Sequence, residues 1–163
     1  MKIRVFDFTK SGVNKTLVKN SIKKLLRVGI QKIGVKPRKI DVIIEDDRDF
    51  GEQVTDSNGE VKIYLSGKDW INRKFLAGAL YELGHELFEA MFALKDITQK
   101  KTWKKWTYYH KKALKLDKDI LKTLIKRSMV TVTEDWTGKK VIAVKSHIGQ
   151  QLYPYSWIKE LKR

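Results

Sequence analysis

Four residues in one short stretch carry side chains fit for proton or metal chemistry: Glu82, His85, Glu86 and Glu89. Their spacing of i, i+3, i+4 and i+7 brings all four to one face of a helix. Like charges at this spacing repel by roughly 0.2–0.5 kcal/mol per pair, so a lysine-rich chain has no stability reason to choose them. A bound cation, or a proton held by a raised pKa, relieves that repulsion. Within the stripe, His85-Glu86-Leu87-Phe88-Glu89 offers His85 and Glu89 as an i, i+4 donor pair with Glu86 beside them. The chemistry expected is divalent-metal hydrolysis, with Glu86 as ligand or general base, His85 assisting proton transfer, and Glu82 and Glu89 as metal ligands. Mixed imidazole and carboxylate donors suit Mg²⁺ or Mn²⁺, with zinc the lesser candidate. The alternative for the same stripe is a solvated helix face whose carboxylates answer basic segments elsewhere. The loop Glu45-Asp46-Asp47-Arg48-Asp49 could add carboxylates to the site, although a solvated turn is its simpler reading, and the lone imidazoles His110 and His147 read as structural.

The elements that must position this stripe follow from periodicity. Ile3 to Phe8 reads as a first strand, and a helix starts near Asn14 and runs to Ile33, closed by Gly34 and Pro37. Ile40 to Glu45 is a β-branched run fit for a second strand, and Asp56-Ser57-Asn58-Gly59 joins two further strands as a tight hairpin. The spacing predicts one long helix from about Asp69 to Asp96, carrying the stripe, and a second from Lys101 to Lys126 with Trp106, Tyr109, Ala113, Leu116, Ile120 and Leu124 on its buried side. A hairpin over Met129 to Val144 and a short helix after Pro154 complete the chain. The expected class is α+β: a single domain over residues 1–163, with a small, mostly antiparallel sheet packed with two long amphipathic helices.

Charge is distributed unevenly around the stripe. The 163 residues carry 35 Lys and Arg against 19 Asp and Glu, a net charge of +16. Residues 1–40 hold twelve bases and one acid, residues 41–96 hold thirteen acids and six bases, and residues 97–127 hold eleven bases and two acids. Two basic arms therefore flank an acidic centre, the electrostatic footprint of a phosphate-backbone binder. Lys19, Lys23 and Arg27 recur every four residues on the first helix. Lys104, Tyr108, Lys111, Lys115, Lys118, Lys122 and Lys126 would form one cationic edge on the later helix, about 33 Å long at ~1.5 Å per residue. The partner expected from these residues is double-stranded DNA, held by phosphate contacts. The absence of cysteine excludes thiolate metal sites and a cysteine nucleophile. No apolar stretch approaches the ~20 residues that cross a bilayer, and the first residues do not read as a signal peptide, so no membrane partner and an intracellular location are expected.

Two resemblances sharpen the expectation. Tyr81-Glu82-Leu83-Gly84-His85 resembles the His-Glu-Leu-Gly-His signature of zinc metallopeptidases with tyrosine at the first histidine, and the hairpin-then-helix order over residues 40–92 is similar to the minimal zincin fold. The substitution removes one zinc ligand from that register. The size, basicity, element order and His85-Glu86 step resemble the small double-stranded DNA nucleases of archaeal filamentous viruses, of the Acidianus filamentous virus type. That resemblance implies phosphodiester hydrolysis dependent on one glutamate, here Glu86, in a protein of the host cytoplasm. The leading expectation is a metal-dependent DNA nuclease; the alternatives are a non-catalytic DNA-binding protein on a degenerate zincin-like scaffold and a metallopeptidase.

Overall fold

The computed structural model describes residues 1–162. Strand β1 (Lys2–Asp7) leads into helix α1 (Lys15–Ile33), whose first turn is capped by the Asn14 side chain accepting from the Leu17 N–H at 3.0 Å. Gly34 ends that helix with φ 84°, a left-handed conformation that glycine adopts without penalty. Strands β2 (Lys39–Glu45), β3 (Glu52–Thr55) and β4 (Glu60–Ser66) follow, then a short helix α2 (Gly67–Trp70) and a 3₁₀ turn at Arg73–Phe75. The central helix α3 (Leu76–Thr98) comes next, then α4 (Trp106–Leu114), α5 (Asp117–Lys126), strands β5 (Thr131–Glu134), β6 (Lys140–Ser146) and β7 (Gly149–Pro154), and α6 (Ser156–Leu161).

The class is α+β, and the strand pairing differs in detail from the expected mostly antiparallel sheet. The described residues form two sheets. The first runs β1-β2-β4-β3, with β1, β2 and β4 parallel and only β3 reversed at the edge. A crossover through a 19-residue helix joins β1 to β2, and that is the connection parallel strands require. Ile40, Val42 and Ile44 of β2 are fully buried on the core face, whereas Lys39, Ile43 and Glu45 on its other face are only half-buried. The second sheet, β5-β6-β7, is antiparallel, and its third strand had no clear signal because Gln150, Gln151 and Leu152 are exposed on an edge.

Helix α3 is the axis of the molecule. It packs against α1, β3, β4, β6, α4 and α5, and residues buried along it include Leu83, Leu87, Phe88, Met91 and Leu94. A helix apolar on nearly every side belongs in a core, which overturns the solvated-face reading of the acidic stripe. It begins at Leu76 rather than Asp69 because Asn72 is extended, its side chain accepting from the Lys74 N–H at 3.0 Å to open the 3₁₀ turn, while Asp69 belongs to α2 and accepts from the His147 backbone N–H at 2.7 Å.

The single helix expected over Lys101 to Lys126 is two. Lys115 and Leu116 separate α4 from α5, and Asp117 opens the second piece with its carboxylate buried between the hydroxyls of Tyr81 and Tyr153. Tethering that carboxylate to α3 and β7 fixes where α5 starts. The supposed continuous cationic edge is therefore broken: Lys104 precedes α4, Tyr108 and Lys111 lie on it, Lys115 sits at the joint, and Lys118, Lys122 and Lys126 belong to α5. Trp106, assigned to the core from its spacing, is 64% exposed, whereas Tyr109, Ala113, Ile120 and Leu124 are buried as expected.

Candidate metal centre

The stripe on α3 opens into a cleft of about 630 Å³ between that helix, the start of β3 and one face of α4. Phe50, Gly51, Glu52 and Gln53 form one wall, Trp106, His110 and Leu114 the opposite one, Tyr81, Glu82, His85, Glu86 and Glu89 the floor, and Gln151 of β7 one end. The i, i+4, i+8 spacing of Trp106, His110 and Leu114 turns all three to the same side of α4.

Three side chains converge on a point in the floor. His85 Nε2 lies 2.9 Å from His110 Nδ1 and 3.3 Å from Glu89 Oε2, and His110 Nδ1 lies 3.6 Å from the same oxygen. Donors held at about 2.0–2.1 Å by a tetrahedral ion stand roughly 3.3 Å apart, so the triangle has the dimensions of three corners of such a site. This His85–Glu89–His110 group could hold a metal ion. His85 and Glu89 are buried and His110 is 39% exposed in its side chain, which leaves the fourth direction open to the cleft. The imidazoles contact edge to face, and Trp106 packs edge-on against His110 with ring centres 5.6 Å apart.

Glu86, next to His85 in sequence, also faces the cleft and is only 7% exposed. Burial pushes its pKa up to about 8, and the neighbouring charges of Glu89, Glu82 and Glu52 push the same way. Burial raises Glu82 as well, against the Gly51 N–H that its carboxylate accepts. Glu82 therefore does not join the donor group expected for it; it pins the entry to β3. A Cβ on Gly51 would overlap that carboxylate, so glycine is what lets the chain approach.

The i, i+4 pair His85 and Glu89 was readable from helical spacing. The third donor, His110, was read as structural, because nothing in sequence tells that a histidine 25 residues downstream returns to the same point. His147 does hold a structural position, with Nδ1 2.9 Å from Asp69 Oδ1 and Nε2 3.2 Å from Asp49 Oδ1. The acidic loop gives no donor to the converging group: Asp49 is paired with Lys68 at 2.7 Å, and Asp46 accepts the Lys10 N–H at 2.8 Å.

The cationic residues lie elsewhere. Lys19, Lys23, Arg27, Lys111, Lys115, Lys118, Lys122 and Lys126 are exposed, and neither they nor Lys104 and Tyr108 line the cleft. Lys104 and Lys112 stand over the Tyr108 ring at 5.2 and 4.9 Å, and Lys118 pairs with Glu160. No helix is long and apolar enough to cross a membrane among the described residues. No family model matches the chain, and neither curated proteins nor solved structures give a match.

Proposed function

We propose that the protein is a metal-dependent hydrolase acting on peptide bonds, with the ion held by His85, Glu89 and His110 and with Glu86 as general base. The observation that carries this reading is the convergence of two imidazoles and a carboxylate beside Glu86 in an open cleft. Two nitrogen donors and one carboxylate at tetrahedral spacing favour Zn²⁺ over the Mg²⁺ expected from the acidic stripe, because magnesium takes oxygen donors in octahedral arrays. A bound ion would supply Lewis acidity to the scissile carbonyl and to the attacking water. Glu86 takes the proton from that water and returns it to the leaving amine. His110 and His85 would serve as the nitrogen donors, and the burial of His85 and Glu89 keeps their rotamers fixed.

The substrate class follows from the walls. Strand β3 is the last strand of its sheet, so its outer edge has backbone groups free for a further strand, and its first residues line the cleft. An extended peptide can pair with that edge and lie across the floor. Among the described residues no lysine or arginine lines the cleft, whereas a scissile phosphodiester calls for cationic clamps. The net charge of +16 favours a second reading, the nuclease, in which the exposed lysines hold duplex DNA.

One experiment separates them. Protein loaded with Zn²⁺, Mn²⁺ or Mg²⁺ is incubated with casein and with linear duplex DNA, alongside Glu86→Gln and a chelator control. Casein cleavage that drops at least ~100-fold in Glu86→Gln while metal content holds is the expected result. Metal-dependent cutting of DNA with casein intact would establish the nuclease instead, and retardation of DNA without cutting of either substrate would leave a binding protein.

A further inference from the structure

We infer that the apolar residues flanking the candidate metal centre form a subsite for a bulky apolar side chain next to the scissile bond, with Trp106 and Phe50 as its specificity-determining residues. The inference rests on the peptide-hydrolase reading. Trp106 is 64% exposed, Phe50 67% and Leu114 42%, yet all three line the same cleft as His85, Glu89 and His110. Scattered exposed apolar residues need no explanation, but here three converge on one concavity from two opposed walls. Trp106 and Leu114 lie one helical turn either side of His110, so a side chain carried past the ion on a peptide held by β3 meets an apolar surface in both directions along α4.

Charge argues for the same occupant. The remaining polar lining is dominated by Glu52, Glu82, Glu86 and Glu89, and among the described residues no lysine or arginine lines the cleft; Arg48, outside it, pairs with Glu52 at 3.3 Å and offsets one of the four. One divalent ion leaves this cleft without positive excess, so acidic side chains beside the scissile bond are repelled, while large neutral ones gain the aromatic walls. The predicted substrates are extended peptides with Leu, Phe, Tyr or Met adjacent to the cleaved bond and no Asp or Glu there.

The test uses the full chain with Zn²⁺ and a set of internally quenched peptides that differ only at the two central positions. Wild type should cleave the Leu and Phe members with kcat/KM at least about tenfold above the Ala member and further above the Asp member. Trp106→Ala and, separately, Phe50→Ala should lower kcat/KM on the Leu and Phe peptides by a clearly larger factor than on the Ala peptide, erasing most of that preference. A uniform loss on every peptide would show that Trp106 only supports His110 and would overturn the subsite, as would wild-type cleavage with no apolar preference. Failure of the hydrolase reading is told apart by binding. Glu86→Gln, with and without Zn²⁺, is titrated with the labelled peptides by fluorescence polarisation. Selective binding of Leu and Phe peptides with no cleavage by wild type would keep the subsite and remove the peptidase, and equal affinity for Leu, Ala and Asp peptides would remove the subsite.

Discussion

Glu86 combines two properties that pull in opposite directions. As a buried carboxyl pushed from 4.5 to about 8, it keeps a proton in the folded chain that the unfolded chain releases. Its contribution to stability is therefore present below about pH 4.5 and is lost as the pH rises towards 8. Glu86→Gln should raise the melting temperature of the metal-free protein at pH 8, by roughly 2–4 kcal/mol of stability, and by much less at pH 5. Differential scanning calorimetry at the two pH values checks this; an equal shift at both would mean that ionisation of Glu86 is not the cause. Zinc uptake should lower the proton affinity of Glu86 and release on the order of one proton per ion near pH 7, measurable by calorimetric titration in buffers of different ionisation heat. His110→Ala removes one of three donors and should weaken zinc binding at least about tenfold while leaving the fold intact. Retention of wild-type affinity would place the ion elsewhere.

Asp117 and Gly78 decide how the helices and sheets around the cleft are joined. The Asp117 carboxylate accepts from Tyr81 on α3 at 3.0 Å and from Tyr153 on β7 at 3.2 Å, at the first turn of α5. Burial raises its pKa, while the Tyr81 hydroxyl favours the charged form. Asp117→Ala strands the buried Tyr81 hydroxyl, while the half-buried Tyr153 keeps its bond to Gln151 at 2.8 Å, and should cost about 1–3 kcal/mol, read from chemical denaturation. A change below about 0.5 kcal/mol would mean that the break between α4 and α5 has another origin. Gly78 lies where α3 meets the end of β6, and a Cβ there would overlap the Lys145 carbonyl oxygen and the Ser146 backbone. Gly78→Ala should thus destabilise by ~1–3 kcal/mol despite the better helix propensity of alanine, because the atoms in the way are backbone and cannot swing aside. The same joints explain why the lysines of α4 and α5 do not form one straight edge.

For the molecule as a whole, charge and chemistry are separated in space: an acidic, aromatic-walled cleft within a cationic exterior. Under the DNA-binding reading, replacing Lys111, Lys115 and Lys118 with Ala should weaken retention on duplex DNA and flatten its dependence on salt, with casein cleavage unaffected. An unchanged salt slope would remove α4 and α5 from any polyanion contact. Stability should respond to zinc by mass action, with about 2.7 kcal/mol gained at a hundredfold excess over the dissociation constant.

Helical and strand periodicities are local, so β1, α1, β2, the Asn58-Gly59 hairpin and the face shared by His85, Glu86 and Glu89 could all be read along the chain. Periodicity gives the face of a helix but not what covers it. Whether the stripe met solvent or a cleft depended on α4 and β3 packing over α3, and the role of His110 depended on the turn that carries α4 back across the helix. The parallel pairing of β1, β2 and β4 and the break at Leu116 have the same origin: they are set by contacts between residues tens of positions apart, and no short window of sequence contains both partners.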